Sequence, residues 1–176
     1  MTNEQTFDRE RIEQLLTELG MLLADEGISS HLYLVGSGAM ALACSTDRVT
    51  SDLDAVFEPK MKKYEAAGVM AQKYNLTGDW LNNAVKGLLL AYRGVPVEVL
   101  SVPGISVLVP DPRTLFAMKV RASRADRDTK DIFALYALEG FTYIQEALDY
   151  VSTVFYESQL DARSKVALLE KLDGNS

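Results

Sequence analysis

The sequence predicts an α+β fold, a two-layer arrangement in which helices pack on a small mixed β-sheet. Three observations predict it. An amphipathic helical segment comes first, short apolar segments typical of strands fill the middle of the chain, and helical periodicity runs from residue 111 to the end. No repeat, low-complexity tract or proline- and glycine-rich linker divides the 176 residues. We therefore expect a single domain over residues 1–176, with a core at about 30–138 and a helical C-terminal extension at about 139–176.

The first part of the chain predicts a helix, a strand, a short helix and a second strand. Residues 8–26 carry leucine and isoleucine at helical spacing, and Gly27 follows where that helix would end. The apolar segment 31–35 is typical of a short strand, and the small residues of 39–43 suit a brief helix packed on a sheet. Acidic and apolar residues alternate over 52–57, which is the period-two pattern of a strand.

The remainder predicts another helix, a hairpin and a helical tail. Residues 60–74 have a helical pattern. Segments 87–92 and 95–100 predict two strands of a hairpin that turns at residues 93–94, and one more short strand is expected at 106–109. From residue 111 onward the predicted helical segments lie near 112–123, 126–138, 141–155 and 160–172.

The charge distribution indicates a small anionic ligand. The net charge of −7 argues against a protein that wraps long nucleic acid, because neutralisation of phosphates dominates such binding. Residues 113–130 nevertheless contain two acidic and six basic side chains, a local charge of +4. The six basic residues are Arg113, Lys119, Arg121, Arg124, Arg127 and Lys130. One basic stripe on an acidic protein favours a confined anionic ligand.

The chain is expected to be cytoplasmic, with no membrane partner. No apolar segment reaches the roughly 18 residues that a membrane span needs, and the N-terminal residues have no signal-peptide pattern. Cys44 is the only cysteine and His31 the only histidine, which excludes an internal disulfide and a Cys- or His-rich metal site. A single cysteine fits a reducing compartment.

A glycine-rich turn follows the first predicted strand and precedes the short helix. Gly36-Ser37-Gly38 lets the backbone approach a phosphate group closely, and the free N–H groups at a helix start favour negative charge. The Ser37 hydroxyl is a further donor to a phosphate oxygen. We expect Gly36 and Ser37 to hold the phosphates of a ligand.

Two acids in the second predicted strand indicate a metal site. Asp52 and Asp54 are two residues apart, so in a strand both carboxylates project from one face, about 6–7 Å apart along the chain. Neighbouring carboxylates repel each other unless a cation neutralises them, and hard oxygen ligands suit Mg²⁺. Glu98, between Val97 and Val99 in a predicted strand, is our candidate for a third acid. An exposed strand edge remains the alternative for the pair, and a solvated side chain the alternative for Glu98.

A dinucleotide-binding motif is a competing interpretation of the same turn. Residues 36–41 fit the pattern G-x-G-x-x-A after a strand. That motif requires a full crossover helix and then a strand that ends in an acidic residue. Here only about ten residues separate Gly38 from Arg48, and the acids precede the apolar run, so this interpretation is disfavoured.

A resemblance to a known superfamily covers about residues 30–138. Residues 32–57 read LYLVGSGAMALACSTDRVTSDLDAVF and resemble the signature of the DNA-polymerase-β-like nucleotidyltransferases: Gly-Ser or Gly-Gly, a short helix, then Asp-x-Asp. More closely, the chain is similar to the DUF6036 group of nucleotidyltransferases, near the AbiEii-type toxins. The further matching residues are Arg48 and Thr50, Trp80-Leu81-Asn82-Asn83, and Ala117-Met118-Lys119-Val120-Arg121-Ala122 followed by Arg127 and Asp131. The third acid of the family is often aspartate, whereas this chain offers Glu98.

The resemblance implies a magnesium-dependent enzyme that moves NMP from an NTP to a hydroxyl acceptor. The acceptor would be an RNA 3′ end, a protein or a small molecule, and a toxin–antitoxin or phage-defence system is the expected setting, with a partner protein or a homodimer. The catalytic metal ligands would be Asp52, Asp54 and Glu98, and the NTP would contact Gly36, Ser37, Lys119, Arg121 and Arg127.

Several alternatives stay open at this point. The chain is either an enzyme or a non-catalytic, antitoxin-like binding module with the same fold, and a dinucleotide-binding protein is a third interpretation. Lys119 is either a ligand of the triphosphate or a surface lysine whose stem lies along an apolar helix. Trp80 is either a stacking platform for a base or an anchor of the core.

Overall fold

The structure confirms the α+β fold. It is a computed structural model, and it describes residues 5–44, 47–58, 60–83, 94–122 and 129–155. Within these residues, helices accompany one mixed five-stranded sheet. The strand expected at 87–92, the helix expected at 160–172, Arg124 and Arg127 lie outside the described residues.

The described residues divide into two compact units. The first runs to Pro110, apart from Gly94, and contains the sheet. The second runs from Asp111 and is helical. The division therefore follows the last strand, whereas the sequence predicts a core to about residue 138 and a C-terminal extension from about residue 139.

The first unit contains a helix–strand–helix–strand–helix succession before its last three strands. Helices 8–26 and 60–74 and strands 31–35 and 52–57 are confirmed to within one residue at each end. The short helix begins three residues earlier than expected, because the chain turns into it directly at the end of the first strand. The elements are α1 (Arg9–Asp25), β1 (Ser30–Val35), α2 (Gly36–Ala43), β2 (Leu53–Glu58), α3 (Lys60–Tyr74), β3 (Leu81–Asn82), β4 (Val97–Val102) and β5 (Ile105–Val109).

The sheet has the strand order β3-β2-β1-β5-β4. β1 pairs with β2 antiparallel and with β5 parallel, while β2 and β3 are parallel and β4 and β5 antiparallel. The hairpin among the described strands is β4–β5, which turns through Gly104 at φ +83°. The short strand expected at 106–109 is thus β5, beside β1 in the middle of the sheet, since it pairs with partners on both sides.

The strand register gives the sheet two different faces. α2 packs on the buried face at Gly38, where an added Cβ would lie 2.8 Å from Leu53, and α1 packs there at Gly20, 2.6 Å from Ile105. Because side chains alternate along a strand, Asp54 belongs to the opposite face. The buried face carries Leu32, Leu34, Leu53, Ala55, Phe57, Ile105, Val107 and Val109, and the opposite face carries the partly buried Tyr33, Asp54, Val56, Ser106 and Leu108.

Capping and side-chain bonds position α1 in the first unit. Asp8 caps the helix by accepting a hydrogen bond from the Arg11 N–H over 2.8 Å. Glu18 accepts hydrogen bonds from Lys73 and Tyr74 of α3. The bond from Lys73 has the larger effect and the bond from Tyr74 the smaller, and both lower the pKa of the Glu18 carboxyl. This contact ties α1 to α3 on the buried side of the sheet.

The second unit consists of helices that pack around aromatic side chains. Asp111 caps the first of them by accepting a hydrogen bond from the Thr114 N–H over 3.0 Å. The Thr114 and Tyr150 hydroxyls are 3.1 Å apart, and burial is the main cause that raises the pKa of Tyr150. None of the described helices has the length and apolarity to cross a bilayer. The helices are α4 (Pro112–Ala122), α5 (Thr129–Leu138) and α6 (Ile144–Val154).

Candidate functional site

The glycine turn lies against one of the two acids. Gly36 is the first residue of α2 and has φ +64°, a left-handed conformation that glycine adopts without steric cost. Val35, the residue before it, pairs with Asp54 across β1 and β2. As a result, a Cβ added to Gly36 would lie 3.2 Å from Asp54 Oδ2. The missing side chain therefore leaves the space in which the carboxylate approaches the start of the helix.

The second acid is held by an amide from β3. Asp52 stands directly before β2, and its Oδ2 accepts a hydrogen bond from Asn82 Nδ2 over 2.9 Å. The Ser51 hydroxyl is 3.3 Å from the other carboxylate oxygen, and Thr50 Oγ1 donates to the Asp52 carbonyl over 2.9 Å. In the parallel pairing of β2 with β3, Asn82 is the register partner of Asp54. We call Asp52, Asp54 and Asn82 the acidic cluster.

The start of α2 can bind an anion beside this cluster. The first N–H groups of a helix have no partner within the helix and carry partial positive charge. Gly36 and Ser37 occupy this first turn, and both are partly exposed. In the structure the first residue of this helix, Gly36, lies next to Asp54.

The structure does not bring Glu98 into the acidic cluster. Glu98 lies on β4, exposed, and accepts a hydrogen bond from the Ser106 hydroxyl on the neighbouring β5. Because β1 and β5 separate β2 from β4, the two strands are about 14 Å apart at ordinary strand spacing. Nor do the described residues contain three or more His, Cys, Asp or Glu side chains grouped so that they could hold a metal ion. In this part of the chain the third polar member of the cluster is an amide, Asn82.

Lys119 is paired with an acid inside the second unit. Its Nζ lies 2.9 Å from Asp131 Oδ2, and the two side chains are only 9% and 6% exposed. The interpretation of Lys119 as a surface lysine is therefore wrong. The pair links α4 to α5, and the contact of Lys119 with a triphosphate stays a prediction.

Of the two arginines predicted to contact the NTP, Arg121 and Arg127, the structure describes only Arg121. The Arg121 guanidinium stacks over the Phe155 ring at 4.8 Å, and its Nη1 is buried with no hydrogen-bond acceptor among the described residues. Arg127 lies outside the described residues.

Trp80 is an anchor of the core in the first unit. Its side chain is fully buried, its Nε1 donates to the Ala67 carbonyl over 3.0 Å, and its ring meets Phe7 edge-on at 6.4 Å. A fully buried ring offers no face for a base to stack on. Since the Leu53 N–H also donates to the Trp80 carbonyl over 2.7 Å, Trp80 sets the position of β3 against β2.

The sheet topology argues against a dinucleotide-binding site at this turn. Such a site needs parallel strands on both sides of a crossover helix. Here β2, the strand after α2, runs antiparallel to β1, and α2 has only eight residues. The G-x-G-x-x-A match at residues 36–41 is therefore a coincidence of sequence.

Asn82 belongs to the cluster but is not among the site residues predicted from the sequence. The signal was present as two adjacent asparagines after a tryptophan and a leucine, but nothing local shows that a two-residue strand pairs beside Asp54.

No family model, curated protein or solved structure matches the chain. The case for a function therefore depends on the geometry of the acidic cluster and the glycine turn.

Proposed function

We propose that the chain is a magnesium-dependent nucleotidyltransferase that moves NMP from an NTP to a hydroxyl acceptor. One observation carries the proposal. Asp54 Oδ2 lies against Gly36, only 3.2 Å from where a Cβ would stand. The carboxylate that would bind the metal is therefore a neighbour of the helix start that would bind the anion. A triphosphate bound with its magnesium ion requires these two features side by side.

The donor atoms of the cluster fit magnesium. Asp52 and Asp54 contribute carboxylate oxygens, the hard ligands that Mg²⁺ prefers. Two carboxylates on one face of a strand repel each other, and a divalent cation offsets that repulsion. Asp52 and Asp54 would hold the ion, which when bound would neutralise the phosphates and polarise the reacting phosphorus.

The protein's own part in the reaction is to bind and align. The N–H groups at Gly36 and Ser37 would hold the triphosphate. The acceptor hydroxyl attacks the α-phosphorus, the bond to the β-phosphate oxygen breaks, and pyrophosphate leaves. The hydroxyl proton passes to a cluster carboxylate or to water. Positioning and charge stabilisation of this kind account for most of the rate enhancement in phosphoryl transfer.

The resemblance of residues 32–57 to nucleotidyltransferases supports the same reaction. It also supplies the candidate acceptors, which are an RNA 3′ end, a protein hydroxyl and a small molecule, and the setting of a toxin–antitoxin or phage-defence system. By the same resemblance, Lys119 would neutralise charge on the triphosphate.

The proposal is tested by transfer of label from each α-³²P-labelled NTP in the presence of Mg²⁺, with total tRNA, cell lysate or a small-molecule acceptor. We expect the wild type to label an acceptor and the Asp52→Ala/Asp54→Ala double variant to lose this activity by at least about 100-fold, since removal of metal ligands removes the main source of catalysis. Asp79→Ala is the matched control, because Asp79 is an exposed aspartate outside the cluster. Equal labelling by wild type and double variant would refute the proposal.

The same assay decides the place of Glu98. Because β1 and β5 separate Glu98 from the cluster, Glu98→Gln is expected to retain activity within about threefold of the wild type. A loss comparable to that of the double variant would place Glu98 in the catalytic site after all.

A non-catalytic binding module is the second candidate. It is favoured by the composition of the described cluster, whose third polar group is the Asn82 amide, because Glu98, the expected third acid, lies on another strand. Binding of Mg²⁺–NTP that depends on Asp52 and Asp54, without transfer to any acceptor, would support this candidate over the enzyme.

A further inference from the structure

We propose that Asn82 is a positioning residue of the candidate metal site. Its side-chain amide holds the Asp52 carboxylate in the orientation that binds the divalent cation. This inference rests on the proposed function, because it concerns the same cation.

The strand pairing places Asn82 beside both acids. β3 runs parallel to β2, with Asn82 as the register partner of Asp54. From there its Nδ2 reaches Asp52 Oδ2 over 2.9 Å, an ordinary hydrogen-bond length. The residue that pairs with Asp54 in the sheet therefore also bonds the Asp52 carboxylate.

An uncharged donor is the side chain that this position needs. The two carboxylates repel, so each gains by turning away from the other when no cation is bound. A hydrogen bond to an ionised acceptor is stronger than one between neutral groups, and it holds Asp52 in place. A lysine here would compete with the cation for the carboxylates, and an aspartate would add a third negative charge. The asparagine amide fixes the geometry and leaves the charge of the cluster unchanged.

The backbone of β3 is held independently of the Asn82 side chain. Trp80 bonds Leu53 through its carbonyl over 2.7 Å and Ala67 through its indole over 3.0 Å. Its ring is also fully buried. Truncation of Asn82 is therefore expected to remove the amide and leave the strand in place. A change in metal binding can then be assigned to the amide.

The probe is Mn²⁺ alone, titrated into the full chain and followed by its electron paramagnetic resonance signal. Residues that orient metal ligands change affinity by about 10- to 100-fold when removed, and we expect a loss of this size in Asn82→Ala. Asn82→Gln, which keeps a side-chain amide, is expected to recover part of that loss. Asn83→Ala is the matched control, expected to bind as the wild type, since the Asn83 side-chain oxygen has no hydrogen-bond partner among the described residues. Thermal unfolding verifies that each variant folds.

The variant Asp52→Ala distinguishes failure of the proposed function from failure of the role of Asn82. If Asp52→Ala binds Mn²⁺ as the wild type does, the cation is not in the cluster, and the proposed function fails together with this inference. If Asp52→Ala loses affinity while Asn82→Ala keeps it, only the role of Asn82 is overturned. An equal loss in Asn83→Ala would overturn it as well. Should Asn82→Ala not fold, Asn82→Val, whose side chain favours strands and has no donor, gives the same comparison.

Discussion

The substitution Gly36→Ala tests whether the space beside Gly36 serves the site. Two effects are expected. A left-handed residue with a Cβ costs about 1–2 kcal/mol of stability, and φ at Gly36 is +64°. In addition, the new Cβ would stand 3.2 Å from Asp54 Oδ2, so the carboxylate must move by a few tenths of an ångström. Metal–ligand distances tolerate only about 0.2 Å, so this movement is expected to weaken Mn²⁺ binding by about tenfold or more.

Gly27→Ala isolates the second effect. Gly27 has φ +71°, so its alanine variant carries the same backbone strain, but nothing lies within 4 Å of the added Cβ. Urea denaturation should give both variants a similar loss of unfolding free energy, about 1–2 kcal/mol. Mn²⁺ titration and NTP-dependent labelling should fall only in Gly36→Ala. If Gly36→Ala binds Mn²⁺ and labels the acceptor as Gly27→Ala does, the contact with Asp54 has no functional meaning.

Two further predictions concern ion pairs. The pKa of Glu18 is lowered chiefly by its bond to Lys73, so this pair stabilises the fold above the ordinary glutamate pKa of 4.5. Glu18→Gln should therefore cost about 0.2–1 kcal/mol at neutral pH, and the difference in urea denaturation from the wild type should vanish as the pH falls through the lowered folded-state pKa. Lys119→Met removes the cation that pairs with the buried Asp131 carboxylate, which should cost about 3–5 kcal/mol of unfolding free energy. The double variant Lys119→Met/Asp131→Leu should recover most of that stability. Equal losses in the two variants would contradict a structural pair.

Local signals predicted most of the elements and part of the site. The leucine spacing of α1, the helix α3 and the alternation in β2 each lie within one element, and the structure has them at the expected places. The approach of Asp54 to Gly36 was also within reach, because both residues flank the paired ends of β1 and β2.

Long-range pairing decided what local signals did not predict. One more short strand was expected at residues 106–109, but its pairing with β1 and β4 was not predicted. Glu98 has the alternation of a strand, but alternation reveals the face of a side chain and not its neighbouring strands. Asn82, on a strand of only two residues, has no periodicity from which a prediction could start.

The sequence by itself determined that the acidic pair comes soon after the glycine turn, since both lie within a segment of about twenty residues. The tertiary structure alone decided which third group joins them, since Asn82 and Asp52 are 30 residues apart and meet only through the pairing of β3 with β2. It also decided that Lys119 faces a carboxylate inside the second unit. A residue's type and spacing set what chemistry it offers, whereas strand order and helix packing set what it touches.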